Sequence, residues 1–65
     1  MKIILNGEPY EAPEGMRLFE LMEKLELDGP VAAMVNDQVI HREKLTSHML
    51  SPEDRVELLR MMGGG

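Results

Sequence analysis

The chain has 65 residues, with seven Lys and Arg against twelve Asp and Glu, a formal net charge of −5 and a pI near 4.8. So short a chain is a single small domain, and it contains no cysteine, which excludes both a disulfide framework and a thiolate metal site. The basic residues are scattered, and with one Tyr, one Phe and no Trp there is little to stack on bases, so nucleic acid is not an expected partner. No basic segment followed by an apolar run opens the chain, and no stretch approaches the roughly 18 apolar residues of a membrane span. A soluble, cytoplasmic protein without a membrane partner is expected.

Lys2-Ile3-Ile4-Leu5 is a short β-branched apolar run followed at once by Asn6-Gly7, the strongest two-residue signal for a hairpin. The returning strand, Glu8 to Ala12, contains Pro9, which lacks an N–H and therefore places that strand at a sheet edge. After Pro13-Glu14-Gly15, the residues Leu18, Leu21, Met22 and Leu25 fall at i, i+3, i+4 and i+7, which predicts a helix between Arg17 and Leu27 with one apolar stripe. No Ser, Thr, Asp or Asn stands at its start, leaving Gly15 or Met16 as the cap. Asp28-Gly29-Pro30 is the expected stop, with Gly supplying a left-handed residue and Pro unable to continue the helix.

Val31 to Val35 is a continuous apolar run, as in a strand flanked by others, and Asn36-Asp37 turns the chain into a short strand, Gln38-Val39-Ile40. From His41 to Leu50 the pattern is irregular, which predicts a loop with one 3₁₀ turn and with Leu45, Met49 and Leu50 as its buried residues. Ser51-Pro52-Glu53-Asp54 reads as a turn, and Val56 to Met62 as the last strand. If Val56 and Leu58 face the core, alternation sends Leu59 and Met61 to the other face. The order specifies an α+β domain over residues 1–62, a mixed sheet of four to five strands packed on one helix, with residues 63–65 as a flexible glycine tail.

That tail, Gly63-Gly64-Gly65, has no Cβ atoms and can thread a slot too narrow for any other residue. Three extended residues reach about 10 Å. Two histidines seven apart, His41 and His48, lack further close ligands and read as solvated loop residues. Glu8, Glu11 and Glu14 recur at threes but share no helical face, and Arg55 and Arg60 read as solvated strand residues.

The opening strand with Asn6-Gly7, the Glu14-Gly15 segment before Leu18-Phe19-Glu20-Leu21-Met22, the turn in Val35-Asn36-Asp37-Gln38-Val39-Ile40, and Asp54-Arg55-Val56-Glu57-Leu58-Leu59 followed by glycines resemble the ThiS sulfur carriers of thiamine biosynthesis, in the ubiquitin-like β-grasp superfamily. The resemblance covers nearly the whole chain. It departs at Met16 and Arg17, where such sequences usually carry Thr or Ser near the helix start.

What the resemblance implies is a carrier and not an enzyme. The carboxylate of Gly65 would be adenylated by a ThiF-like enzyme that itself binds ATP and Mg²⁺. Sulfur from a donor such as a cysteine desulfurase would replace AMP, leaving a thiocarboxylate for a ThiG-like thiazole synthase. Gly63 and Gly64 would form the tail with Met62 at its root, while Leu59 and Met61, with Ile4 and Met34 beside them on the open sheet face, would form the docking patch for the activating enzyme and the synthase. The chain needs no bound cofactor for this role, and it has neither a Walker-type glycine loop nor a nucleophilic cysteine with which to activate itself. Related alternatives are a MoaD-like or tRNA-thiolation carrier and a ubiquitin-like protein modifier. A non-covalent TGS-type binding module is the alternative of a different class.

Overall fold

A computed structural model describes residues 1–27 and 29–60 of the chain. Asp28 and the expected tail and tail-root residues Met61, Met62, Gly63, Gly64 and Gly65 lie outside the described residues. Five strands, β1 (Lys2–Leu5), β2 (Glu8–Glu11), β3 (Val31–Val35), β4 (Gln38–Ile40) and β5 (Arg55–Arg60), form one sheet in the order β2-β1-β5-β3-β4. β1 and β5 run parallel, and every other neighbouring pair is antiparallel. The single α-helix, α1 (Leu18–Lys24), supplies the second layer, and a 3₁₀ turn spans Arg42–Lys44. This is the expected β-grasp arrangement.

Both hairpins close through two-residue turns of the primed kind. In the first, Asn6 and Gly7 have φ of 49° and 84° between the paired residues Leu5 and Glu8; in the second, Asn36 and Asp37 have φ of 52° and 69° between Val35 and Gln38. Positive φ at both positions matches the right-handed twist of the flanking strands, and Asn, Asp and Gly tolerate it best. β2 lies at the sheet edge, as Pro9 requires.

The core sits between α1 and one sheet face. Ile3, Leu18, Leu21 and Val56 are wholly enclosed, joined by Ala33, Val35, Leu50 and Leu58, while Met22 and Leu25 of the predicted stripe are half-buried against them. Full burial of one such aliphatic side chain is worth about 1.5–3 kcal/mol, so these few residues carry most of the apolar stabilisation. Leu45 and Leu50 pack as expected, but Met49 does not, being 52% exposed. It bridges to Arg17 through backbone pairing, a constraint that turns its side chain to solvent.

The helix is shorter than its periodicity suggested. Its cap is Arg17, in extended conformation, rather than Gly15 or Met16. An arginine side chain has no acceptor for first-turn amides, and the chain satisfies them otherwise. Leu18 N–H donates to the His48 carbonyl (2.9 Å) and Phe19 N–H to the Leu45 carbonyl (3.1 Å). The Arg17 N–H in turn donates to Oε1 of Glu20 (2.7 Å), the half of a capping box that needs only a glutamate at the third helical position.

At the other end the helix stops at Lys24, ahead of the expected Asp28-Gly29-Pro30 signal. Glu26, with φ of 57°, is the left-handed residue; its N–H donates to the Glu23 carbonyl (3.0 Å) and Leu27 N–H to the Met22 carbonyl (2.9 Å). These two bonds form a Schellman motif, and the contact of Leu27 with the core is the apolar partner it usually has. A non-glycine residue at this position costs about 1 kcal/mol. Replacing Glu26 by Gly is therefore expected to raise unfolding stability by about 0.5–1 kcal/mol, read as a higher urea midpoint at unchanged slope. An unchanged or lower midpoint contradicts the assignment.

Candidate functional site

The expected working end follows β5, the strand at the centre of the sheet. On one side β5 pairs with β3 over five residues, from Val31↔Arg60 to Val35↔Val56. On the other side β1 reaches only two, Ile4↔Arg55 and Leu5↔Val56, before the hairpin turns away. Asparagine side chains at the two turns complete what these ladders leave. The Asn6 N–H donates to the Val56 carbonyl (2.8 Å), and its Oδ1 accepts the Leu58 N–H (2.9 Å), so the side chain extends the parallel ladder past the end of β1.

Asn36 does the same at the start of β5. Its N–H donates to the Arg55 carbonyl (2.8 Å), its Oδ1 accepts the Arg55 N–H (2.9 Å), and its Nδ2 donates to Oδ1 of Asp54 (3.0 Å). Asp54 accepts the Ser51 N–H through its other oxygen (2.8 Å), closing a turn in which Glu53 has φ of 69°. Ile4 N–H donates to the Asp54 carbonyl (2.8 Å) and Glu53 N–H to that of Lys2 (2.7 Å), tying the turn to β1. At the far end the Arg60 guanidinium donates to the Glu26 carbonyl (3.4 Å), so the described part of β5 ends beside the helix stop.

Alternation sorts the side chains of β5. Val56 and Leu58 are buried towards α1, and Leu59, 66% exposed, lies on the opposite face, as the alternation predicts. Ile4 and Met34, both half-buried, share that open face, since their neighbours Ile3, Ala33 and Val35 point inward. Leu59 stands opposite Ala32 and Met34 opposite Val39, which is 61% exposed. Val39 belongs to the apolar arc on geometry but has no distinguishing signal in a three-residue strand. Met34 also faces Glu57, which separates it from Ile4 on β1. The expected patch residues therefore share one face, with a carboxylate between them.

Arg55 is committed within the chain: its Nη2 lies 2.9 Å from Oδ2 of Asp37, an exposed pair. Among the described residues, no group of three His, Asp or Glu side chains is placed to hold a metal ion, and no helix is long and apolar enough to cross a membrane. His41 is exposed; His48 is half-buried, and its contribution is the carbonyl that caps α1.

The family model described as "ThiS family" matches residues 3–65. The chain belongs to the ThiS family. It is 29% identical over 66 residues to the Sulfur carrier protein ThiS of Escherichia coli strain K12, with all of both chains covered. It is 27% identical to the uncharacterized protein ycf40 of Porphyra purpurea, covering 93% of that protein. The crystal structure of the thiamine biosynthesis protein ThiS from Geobacter metallireducens superposes with a TM-score of 0.84 at 30% identity, covering the whole of both chains. A solution structure of a thiamine biosynthesis protein from the same organism gives 0.83, covering 88% of that chain. ThiS membership accounts for the β-grasp order, and the Met16-Arg17 departure is accommodated by the carbonyls of Leu45 and His48 at the helix start.

The dual role of Asn6 is separable by mutation. Asn6→Gly keeps a residue suited to positive φ but removes the acceptor for Leu58 N–H, whereas Asn6→Asp keeps both. The glycine variant is expected to lose about 0.5–1.5 kcal/mol and to accelerate amide exchange at Leu58 more than at Ala33, while the aspartate variant retains Leu58 protection. Equal exchange at Leu58 in both variants contradicts the clamp.

Proposed function

We propose that this ThiS-family chain is the sulfur carrier of thiazole formation in thiamine biosynthesis, a protein co-substrate rather than a catalyst, with the carboxylate of Gly65 as its reactive group. The observation that carries this reading is the family match through residue 65, which includes all three terminal glycines.

The chemistry follows from the functional group. A carboxylate is a poor electrophile, and its oxygen must first attack the α-phosphorus of ATP, releasing pyrophosphate and forming an acyl adenylate. A sulfur nucleophile then adds to the acyl carbon and expels AMP. With a persulfide donor, thiol cleavage of the resulting S–S bond leaves the thiocarboxylate. Glycine at the reacting position removes side-chain bulk from the tetrahedral transition state, and Gly63 and Gly64 give reach and slimness. ATP and Mg²⁺ belong to a ThiF-like adenylating partner, the sulfur to a donor such as a cysteine desulfurase, and the acceptor is a ThiG-like thiazole synthase.

The domain is the handle by which partners hold this tail. Leu59, Met34 and Ile4 on the open face, with Met61 and Met62 at the root of the tail, form the docking surface. Methionine suits a surface that meets more than one enzyme, because its thioether repacks readily. Incubation with ATP, a ThiF-like enzyme and a sulfur source is expected to raise the intact mass by about 16 Da, oxygen exchanged for sulfur. An unmodified mass, when an established carrier reacts under the same conditions, contradicts the proposal. Adducts on target lysines would assign the chain to the protein modifiers instead.

A further inference from the structure

We infer that Glu57 is the electrostatic centre of the docking face and that the adenylating partner presents a Lys or Arg side chain to it. The inference rests on the carrier reading above, and it specifies the chemistry of the partner at that surface.

Glu57 occupies the middle of β5, which is itself the middle strand of the sheet. It lies on the open face, as Leu59 does, directly across from Met34, with Leu59 two residues along the strand and Ile4 on β1 near its other side. Its side chain is exposed, and its carboxylate makes no hydrogen bond or ion pair to another described residue. On the same face of β5, Arg55 is held by Asp37 at 2.9 Å. Glu57 also borders a shallow groove of about 330 Å³ whose other walls are Ile4, Asn6, Gly7, Arg55 and Val56.

In the free protein water solvates this carboxylate. Once an apolar partner surface covers Leu59, Met34 and Ile4, that water is displaced, and a carboxylate buried without a partner costs several kcal/mol. The groove supplies room for a long basic side chain, its stem along Ile4 and its charged head at Glu57, and the net charge of −5 favours approach of a basic surface. Such a pair inside an apolar ring sets orientation and association rate together.

The test is steady-state adenylation of the full chain by a ThiF-like enzyme, with carrier concentration and NaCl varied. Glu57→Gln is expected to raise KM about tenfold at unchanged kcat and to flatten its dependence on salt, with Glu57→Lys raising KM further. Glu23→Gln, a change of the same charge on the exposed side of α1, leaves both parameters unaltered. Urea midpoints of all variants report folding, and an exposed side chain with no partner among the described residues predicts them within error of the parent. Glu57 variants with the parental KM and salt slope overturn the inference, as does a rise confined to Glu57→Lys, which would report a clash and not a lost pair. If the unmodified chain is not adenylated at any concentration, the carrier reading fails first.

Discussion

Everything in this small domain depends on holding β5 in the middle of the sheet. It is the last strand in sequence, and it must enter between β1 and β3, which are themselves separated by β2 and α1. Pairing so distant in the chain has a large closure cost, and only two residues of β1 are available to meet it on one side. The asparagines at the two turns supply the rest. Each was selected by its turn for tolerance of positive φ, and each then spends its side-chain carbonyl on a β5 amide. One residue type at two equivalent corners thus fixes the turn and the register of the central strand.

The same economy appears at α1. Seven residues are too few to be stable alone, and the helix persists because its face is enclosed by the sheet and its ends are satisfied from outside. The irregular segment between His41 and Leu50 is therefore a structural part of the helix start, delivering the carbonyls of Leu45 and His48 where other chains would use a hydroxyl. With α1 covering one face, the other remains open, and the charge at its centre is a carboxylate with no side-chain partner among the described residues. Under the proposed carrier role, a fold so arranged would separate its tasks: one face stabilises, the opposite face would meet partners, and the terminal glycines would carry the chemistry.

Much of this was legible in the residues. Asn-Gly and Asn-Asp announced both turns, Pro9 announced the edge strand, and alternation in Val56 to Leu59 divided core from surface. What failed was end chemistry. Periodicity extends over Leu25 and Leu27 because both are apolar, yet a Schellman stop is set by backbone bonds from Glu26 and Leu27, for which glutamate gives no signal. The Arg17 cap was hidden for the same reason, since the carbonyls that accept the Leu18 and Phe19 N–H groups belong to His48 and Leu45, in a loop far along the chain. Met49 was misread because an apolar residue in an irregular segment carries no phase. In the candidate site, Leu59 was readable from the strand period, whereas Val39 and the position of Glu57 between Met34 and Ile4 emerge only from cross-strand register.

The central claim is that the folded domain is a handle and the glycines are the reactive part. Its most direct measurement is the transfer of labelled sulfur into the thiazole product by the full chain and by a chain lacking Gly64 and Gly65, with folding of both verified by urea unfolding. The account predicts label in the product with the full chain and none with the equally stable shortened one. Sulfur transfer by the shortened chain at the parental rate would contradict it and assign the domain a non-covalent binding role.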